Sequence, residues 1–316
     1  MLKQWKFWLG LILLCALVWL VESEYGWASV LSAWKAIPLS SIALALTLML
    51  GSYLLRAVRF YDFFLNQCRG QFWLLLRITV LHNFFNNLLP MRSGEAAFPM
   101  LMKRHFELRI THSAPALLWL RLLDLYALVI LAGISLQGQL GIPDTLQGLL
   151  AIGLLTAPLI LLPLQNRIHQ YLQEHPRAAL QKVADLMEAL PKSPATFARA
   201  LLWTFTNWAL KLAVYAWLLS QFIQLSWPQA WTGVSGGELS SVLPIHGFAG
   251  AGTYEAGVVA GLLPWSIDAT VILAGAVNLH LFILGSTLLL TALIAVLTHS
   301  FSTPKAHPES GSNYRS

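Results

Sequence analysis

Two short polar stretches interrupt an otherwise apolar chain, and they hold most of its potential chemistry. The first reads NNLLPMRSGEAA, Asn86 to Ala97, and the second SVLPIHGFAGAGTYEA, Ser241 to Ala256. Each runs from Leu-Pro through small residues to Glu-Ala: Leu89-Pro90 to Glu95-Ala96, and Leu243-Pro244 to Glu255-Ala256. The first, together with the residues leading into it, is the denser cluster: His82, Asn83, Asn86, Asn87, Arg92, Ser93 and Glu95. His82 and Asn86 are four apart, so they share one face of a helix. Amide donors, an arginine and free backbone N–H groups beside a Pro/Gly break are what an anionic headgroup needs, and arginine can hold a phosphate in bidentate fashion. For Asn86 and Asn87 an equal reading is that they satisfy the broken backbone of their own segment. For Arg92 and Glu95 binding is favoured, because charge at membrane depth is too costly for packing alone.

Further charges sit inside apolar runs. Arg121 and Asp124 are three apart and can pair on one helix face, either neutralising each other or lining a path. Lys211 lies deep in an apolar segment one turn after Asn207, with no carboxylate on its own helix, so Glu238 or Glu255 must compensate it. The second stretch offers Glu238, His246, Tyr254 and Glu255 among glycines, of which Gly250 and Gly252 permit close backbone approach. Its GAG pattern is no nucleotide loop, since no strand precedes it and no Walker lysine follows. Asn278 and His280 read as interhelical hydrogen-bonding groups. The spacing of His82, His246 and His280 gives no support for a metal site, nor do Cys15 and Cys68. No metal and no cofactor are expected.

The elements that position these residues are set by composition. Hydrophobic residues make up 57% and charged residues 11%, against about 25% charged in soluble domains. This is the composition of an integral membrane protein, and 13 tryptophans suit its interfaces. The net charge of +6 contains no Lys/Arg block, which argues against a nucleic-acid surface. Six segments approach the roughly 20 apolar residues of a span: Phe7 to Val21, Ile37 to Leu55, Ala114 to Leu136, Leu146 to Leu164, Phe197 to Ile223 and Asp268 to Leu297. The first resembles a signal peptide but lacks a small-residue cleavage site, so it reads as an uncleaved span.

Basic residues cluster at Arg56, Arg59 and Arg69, at Lys103, Arg104 and Arg109, and from Arg167 to Arg199, whereas the alternate connections hold only Lys35. The basic connections therefore face the cytoplasm, as do both termini. The stretch 72–102 must then enter and leave on the cytoplasmic side, and 231–265 on the outer side. Both read as re-entrant helical hairpins, broken at Pro90 and Pro244.

The order span, hairpin, span thus occurs twice with opposite sense, as an inverted repeat, and broken helices at equivalent places mark a transporter's substrate site. A rival reading takes the LP-to-Glu match as chance, since the Pro-to-Glu gap is longer in the second copy. The expected fold is an all-α polytopic membrane protein with about six transmembrane helices and two re-entrant hairpins, in a single domain over 1–298. The connection 165–196 carries an amphipathic helix starting near His175-Pro176, with Leu180, Val183, Met187 and Leu190 in step. It lies on the cytoplasmic leaflet or serves as a solvent-facing linker. The polar tail 299–316 is expected to be disordered.

NNLLPMRSGEAA, followed by a basic segment and a span bearing Arg121 and Asp124, resembles the flippase-like transmembrane family related to the membrane region of lysylphosphatidylglycerol synthases. LPIHGFAGAGTYEA resembles that family's second signature, a glycine-rich turn ending in Gly-x-x-Glu, here Gly252 to Glu255. The resemblance covers about Lys35 to Leu297. It implies a multi-pass protein of the bacterial inner membrane that moves or binds lipids, anionic phospholipids among them. The chain ends soon after its last apolar segment, without the soluble domain of lysyl-transferring members, so aminoacyl transfer is not expected. His246-Gly247 stands where relatives have Pro-Gly, which puts the role of that turn in doubt.

The leading expectation is a lipid translocator that is not an enzyme. Arg92, Glu95 and Lys211 contact the headgroup, Glu255 is the counter-charge, and Asn86, Asn87, Arg121 and Asp124 complete the site. Two other classes remain: an accessory subunit partnering a lipid-synthesising enzyme, and a lipid-modifying enzyme using His82 or His246 with a carboxylate.

Overall fold

The computed structural model describes residues 4–24, 26–89, 94–136, 141–191, 193–242 and 248–298. Among them are thirteen α-helices and no strand. They are α1 (Gln4–Glu24), α2 (Trp27–Ser32), α3 (Leu39–Phe63), α4 (Leu65–Cys68), α5 (Phe72–Leu88), α6 (Ala97–Phe106) and α7 (Ile110–Ser135). There follow α8 (Asp144–Glu174), α9 (Ala178–Met187), α10 (Pro194–Phe222), α11 (Trp227–Val242), α12 (Thr253–Leu262) and α13 (Ala269–Leu297).

By length and composition, α3, α7 and α13 can each cross a bilayer. Two bent pairs raise the count to five: 14–23 with 27–36, turned by 84°, and 144–158 with 163–174, turned by 53°. This is fewer than the six spans expected. α10, expected as a span, is as long as the others and carries Arg199, Asn207 and Lys211, and it is not among the helices that qualify by length and composition. α8 outruns the expected span and continues to Glu174, bending between Pro158 and Pro163, where the prolines remove helix hydrogen bonds. None of its described side chains is buried, and Leu149 and Leu155 are 66% and 61% exposed. So much exposed leucine suits a hydrocarbon surrounding rather than water. The amphipathic helix α9 begins two residues after Pro176 and buries Ala184, while Val183, expected on its apolar face, is exposed.

α3 shows why these sequences pack as they do. Ala45, Met49, Ser52, Tyr53, Arg56, Ala57, Arg59 and Phe60 recur every three to four residues and form its buried stripe. The stripe is apolar at one end and charged at the other. α3 packs on α10 in antiparallel fashion: Gly51 faces Leu210, Ser52 bonds Asn207, and Asp62 pairs with Arg199.

The two polar stretches fall at breaks between short helices. After α5 the chain returns so closely that a Cβ on Gly94 would stand 2.3 Å from the Phe85 carbonyl carbon, so only glycine fits. α11 and α12 also run antiparallel, and a Cβ on Gly236 would lie 2.2 Å from the Gly257 carbonyl oxygen. Such backbone contact is possible only between small residues. The neighbour relations repeat: α3 with α5, α6 with α7 and α5 with α13 in one set, α10 with α11, α12 with α13 and α11 with α7 in the other.

Candidate functional site

Charged residues converge where α3, α5, α7 and α10 meet, and Asp124 on α7 is the hub. Its Oδ1 accepts from Arg59 Nη1 at 2.5 Å and from Trp208 Nε1 at 2.8 Å; its Oδ2 accepts from Arg121 Nη1 at 3.0 Å. Arg59 also donates to Thr204 Oγ1 at 3.0 Å. A buried carboxylate held by two guanidinium groups and an indole is fully compensated. Arg121 reaches onward, with Nε 3.0 Å from Glu95 Oε1 and Nη2 2.8 Å from His82 Nε2. Arginine only donates, so His82 accepts through Nε2 and is neutral, with its proton on Nδ1.

Arg56, one turn from Arg59 on the same face of α3, is different. It is 6% exposed, donates from Nη1 to Asn83 Oδ1 at 2.6 Å, and leaves its Nε without a partner. Among the described residues no carboxylate forms an ion pair with it. The chain of amides and hydroxyls beyond it is complete: Asn83 Nδ2 donates to Tyr53 Oη at 3.1 Å, and both Tyr53 and Asn87 donate to Thr287 Oγ1 at 3.1 Å. Asn86 is buried, and its Oδ1 has no partner.

Across the gap, Lys211 on α10 donates to Glu238 Oε2 at 2.8 Å and lies 4.6 Å from the ring centre of Trp208 and 5.2 Å from that of Tyr215. Aromatic faces and one carboxylate thus hold the lysine. Between the two sets lies a cavity of about 60 Å³, lined by Arg56, Arg121 and Lys211 against Asp124 and Glu238, with Asn83, Asn86 and Asn87 among its walls. The lining carries one surplus positive charge. Including Arg59 and Glu95, which pair with this set, leaves the surplus at one.

The second break holds its own closed cluster. Glu255, in the first turn of α12, accepts the Gly252 N–H at 2.8 Å and meets His280 Nδ1 at 2.6 Å, while His280 Nε2 lies 2.8 Å from the Ala249 carbonyl. Ala249 has φ +52°, an unfavourable backbone for alanine, and the His280 contact falls on its carbonyl.

Of the residues singled out in the sequence, Asn86, Asn87, Arg121, Asp124 and Lys211 line the cavity. Glu95 joins through Arg121. Glu255 instead stands behind His280 and caps α12, because its two oxygens are taken. Lys211 takes Glu238, the first of the two partners expected for it. Asn278 accepts from Trp34 Nε1 at 2.7 Å, the interhelical bond its position called for. Arg92 and His246 lie outside the described residues.

Arg56 and Arg59 are a correction. Read as loop charges that set orientation, they are instead buried on the charged end of the α3 stripe. Their three-residue spacing, in step with Ser52 and Tyr53, was the available signal. Among the described residues, no three His, Cys, Asp or Glu side chains are grouped to share a metal ion.

The family model described as "Lysylphosphatidylglycerol synthase TM region" matches residues 7–291, which includes both breaks and every helix of the site. No curated protein matches this chain.

Proposed function

Since this chain belongs to the lysylphosphatidylglycerol synthase TM region family, we propose that it is a lipid translocator that binds an anionic, phosphate-bearing headgroup in the cavity beside Arg56. The observation that carries this reading is the buried guanidinium of Arg56, with an unpartnered Nε and, among the described residues, no carboxylate in an ion pair with it. An uncompensated buried charge costs several kcal/mol, and a phosphate oxygen is the natural partner for the free edge of arginine. A cavity of about 60 Å³ has room for ordered water or a phosphate-sized group, given roughly 10–15 Å³ of such volume for each water.

Translocation requires two-sided access. The antiparallel α3–α10 contact and the matching neighbour relations of the two helix sets support an inverted repeat. In that repeat α5–α6 and α11–α12 are re-entrant hairpins that enter from opposite faces and meet at the cavity. The basic connections then face the cytoplasm of a bacterial inner membrane, as do both termini, and the spans form one membrane domain. The reading assigns no covalent step to the site.

The test is transbilayer movement of labelled phosphatidylglycerol in liposomes containing the purified protein. Movement should exceed that of protein-free liposomes, and Arg56→Gln should slow it about tenfold, the effect of one charge-assisted hydrogen bond. Equal rates in the wild type and Arg56→Gln would remove Arg56 from the path.

A further inference from the structure

A second concavity opens on the outer face of the molecule, between α6 and α7. It encloses about 560 Å³ and is lined chiefly by apolar side chains, among them Pro99, Met100, Leu118 and Leu122. Among the described residues, its charged lining residues are Glu95 and Arg121. Arg121 and Val242 line this groove and the buried cavity alike. The Arg121 guanidinium is therefore the partition between an apolar channel on the protein's flank and a polar chamber inside it. Along α7 the lining runs from Ile110 to Leu125, about 22 Å at 1.5 Å per residue. That exceeds the roughly 15 Å depth of hydrocarbon in one leaflet.

We propose that the α6–α7 groove seats one acyl chain of an anionic glycerophospholipid, whose phosphate comes to Arg121 and enters the cavity by displacing the Glu95 carboxylate from it. The inference rests on the translocator reading and adds the lateral door and the chain-binding half of the substrate. Three features fix the occupant. The walls are hydrocarbon, so they suit a chain rather than a polar segment. The one cation at the inner end has a side chain only 13% exposed and contacts two carboxylates, of which Asp124 is sealed in while Glu95 is 29% exposed and faces the groove. The chamber beyond carries the surplus positive charge of Arg56, so an anionic head gains by passing inward and a zwitterionic head, which carries its own cation, gains less.

Removing Glu95 from Arg121 leaves that guanidinium its Asp124 contact throughout. The exchange thus swaps one anion for another at a site that stays neutralised, avoiding the penalty of a bare buried charge. The groove is also distinct from the apolar surface of α8, where no described side chain is buried and ordinary membrane lipid would lie against exposed leucine.

The experiment uses the full chain in lipid nanodiscs with phosphatidylglycerol or phosphatidylcholine bearing a photoactivatable diazirine in the acyl chain, and cross-linked peptides mapped by mass spectrometry. Peptides containing Met100 and Leu118 should be labelled about tenfold more by the anionic probe than by the zwitterionic one, whereas the α8 peptide containing Leu155 should be labelled equally by both. Leu118→Trp, which fills the groove from its 63% exposed wall without touching the polar network, should abolish the selective labelling and leave the α8 signal intact. Equal labelling of the groove by the two probes, or selective labelling that survives Leu118→Trp, overturns the proposal. The two readings fail separately. Lipid movement without selective groove labelling refutes the groove alone, and selective labelling without lipid movement refutes the translocator and leaves the groove as a lipid-binding site.

Discussion

The two broken helix pairs resemble each other in outline and differ in what they do with charge. α11 and α12 press together through Gly236 and Gly257, and their ionic groups are satisfied locally: Glu238 by Lys211 of the adjoining α10, Glu255 by His280 of the following α13. His82 and Asn83 on α5 and Glu95 just before α6 reach outward to arginines on α3 and α7, and among the described residues the network so formed has one cation in excess. One pair is a tightly packed unit whose described charges are paired locally; the other shares its polar groups with neighbouring helices. Similar outlines need not carry similar charge, and the proposed cationic recognition draws on the groups around α5 and α6.

Substitutions can break or sharpen this contrast. The largest effect is expected at Asp124, where Asp124→Asn would leave Arg59 and Arg121 buried and undercompensated and lower unfolding stability in detergent by about 3–5 kcal/mol. Glu238→Gln should cost less, because Lys211 keeps its contacts with the Trp208 and Tyr215 rings. If both cost the same, the two halves do not differ as argued.

Next in size is Gly236→Ala. The added methyl meets the Gly257 carbonyl in a unit with no slack, and overpacking of this kind costs about 1–3 kcal/mol. Gly133→Ala on α7, where nothing lies within 4 Å, should be neutral or stabilising by up to about 1 kcal/mol through helix propensity. Melting curves of the pair separate packing from propensity.

Glu255→Gln weakens a hydrogen bond to His280 and should cost about 1–2 kcal/mol. It should leave discrimination between anionic and zwitterionic lipid unchanged, since Glu255 stands behind His280 rather than in the cavity. A change in lipid preference would show that the second half takes part in recognition.

The smallest effect concerns Asp268, the N-cap of α13. Hydrogen bonds from the Thr270 hydroxyl and backbone N–H hold its carboxyl below the usual range. The folded value is depressed, so this contribution is present above the ordinary carboxylate range and lost as pH falls through the lowered value. Asp268→Asn should shallow the acid limb of a plot of melting temperature against pH, with little change at neutrality.

How legible this was in the sequence follows from which interactions are local. The Arg121–Asp124 pair is written in residues three apart, and the structure has it; Pro90 and Pro244 lie outside the described residues, between α5 and α6 and between α11 and α12. The Lys211–Glu238 pair was reached as one of two options, because an isolated buried lysine demands a carboxylate without saying which. Arg56 and Arg59 were misplaced because charge bias treats a basic residue at the end of an apolar run as a loop residue, and only packing against α10 and α7 reveals that the run continues. α8 outran its expected end because helix formation tolerates polar residues that a span does not. Glu255 reads from sequence as the counter-charge because it is one of two carboxylates that could compensate Lys211; its side chain instead meets His280, twenty-five residues away.

The most direct test of the central claim, that Arg56 awaits an anionic partner, is the lipid-dependent thermal shift of the wild type and Arg56→Gln. Added phosphatidylglycerol should raise the melting temperature of the wild type above that with phosphatidylcholine, by mass action on the folded state. Arg56→Gln should be no less stable without added lipid, having lost an uncompensated charge, and should show no difference between the two lipids. A variant that keeps the full phosphatidylglycerol shift, or that unfolds as readily as Asp124→Asn, would contradict the account.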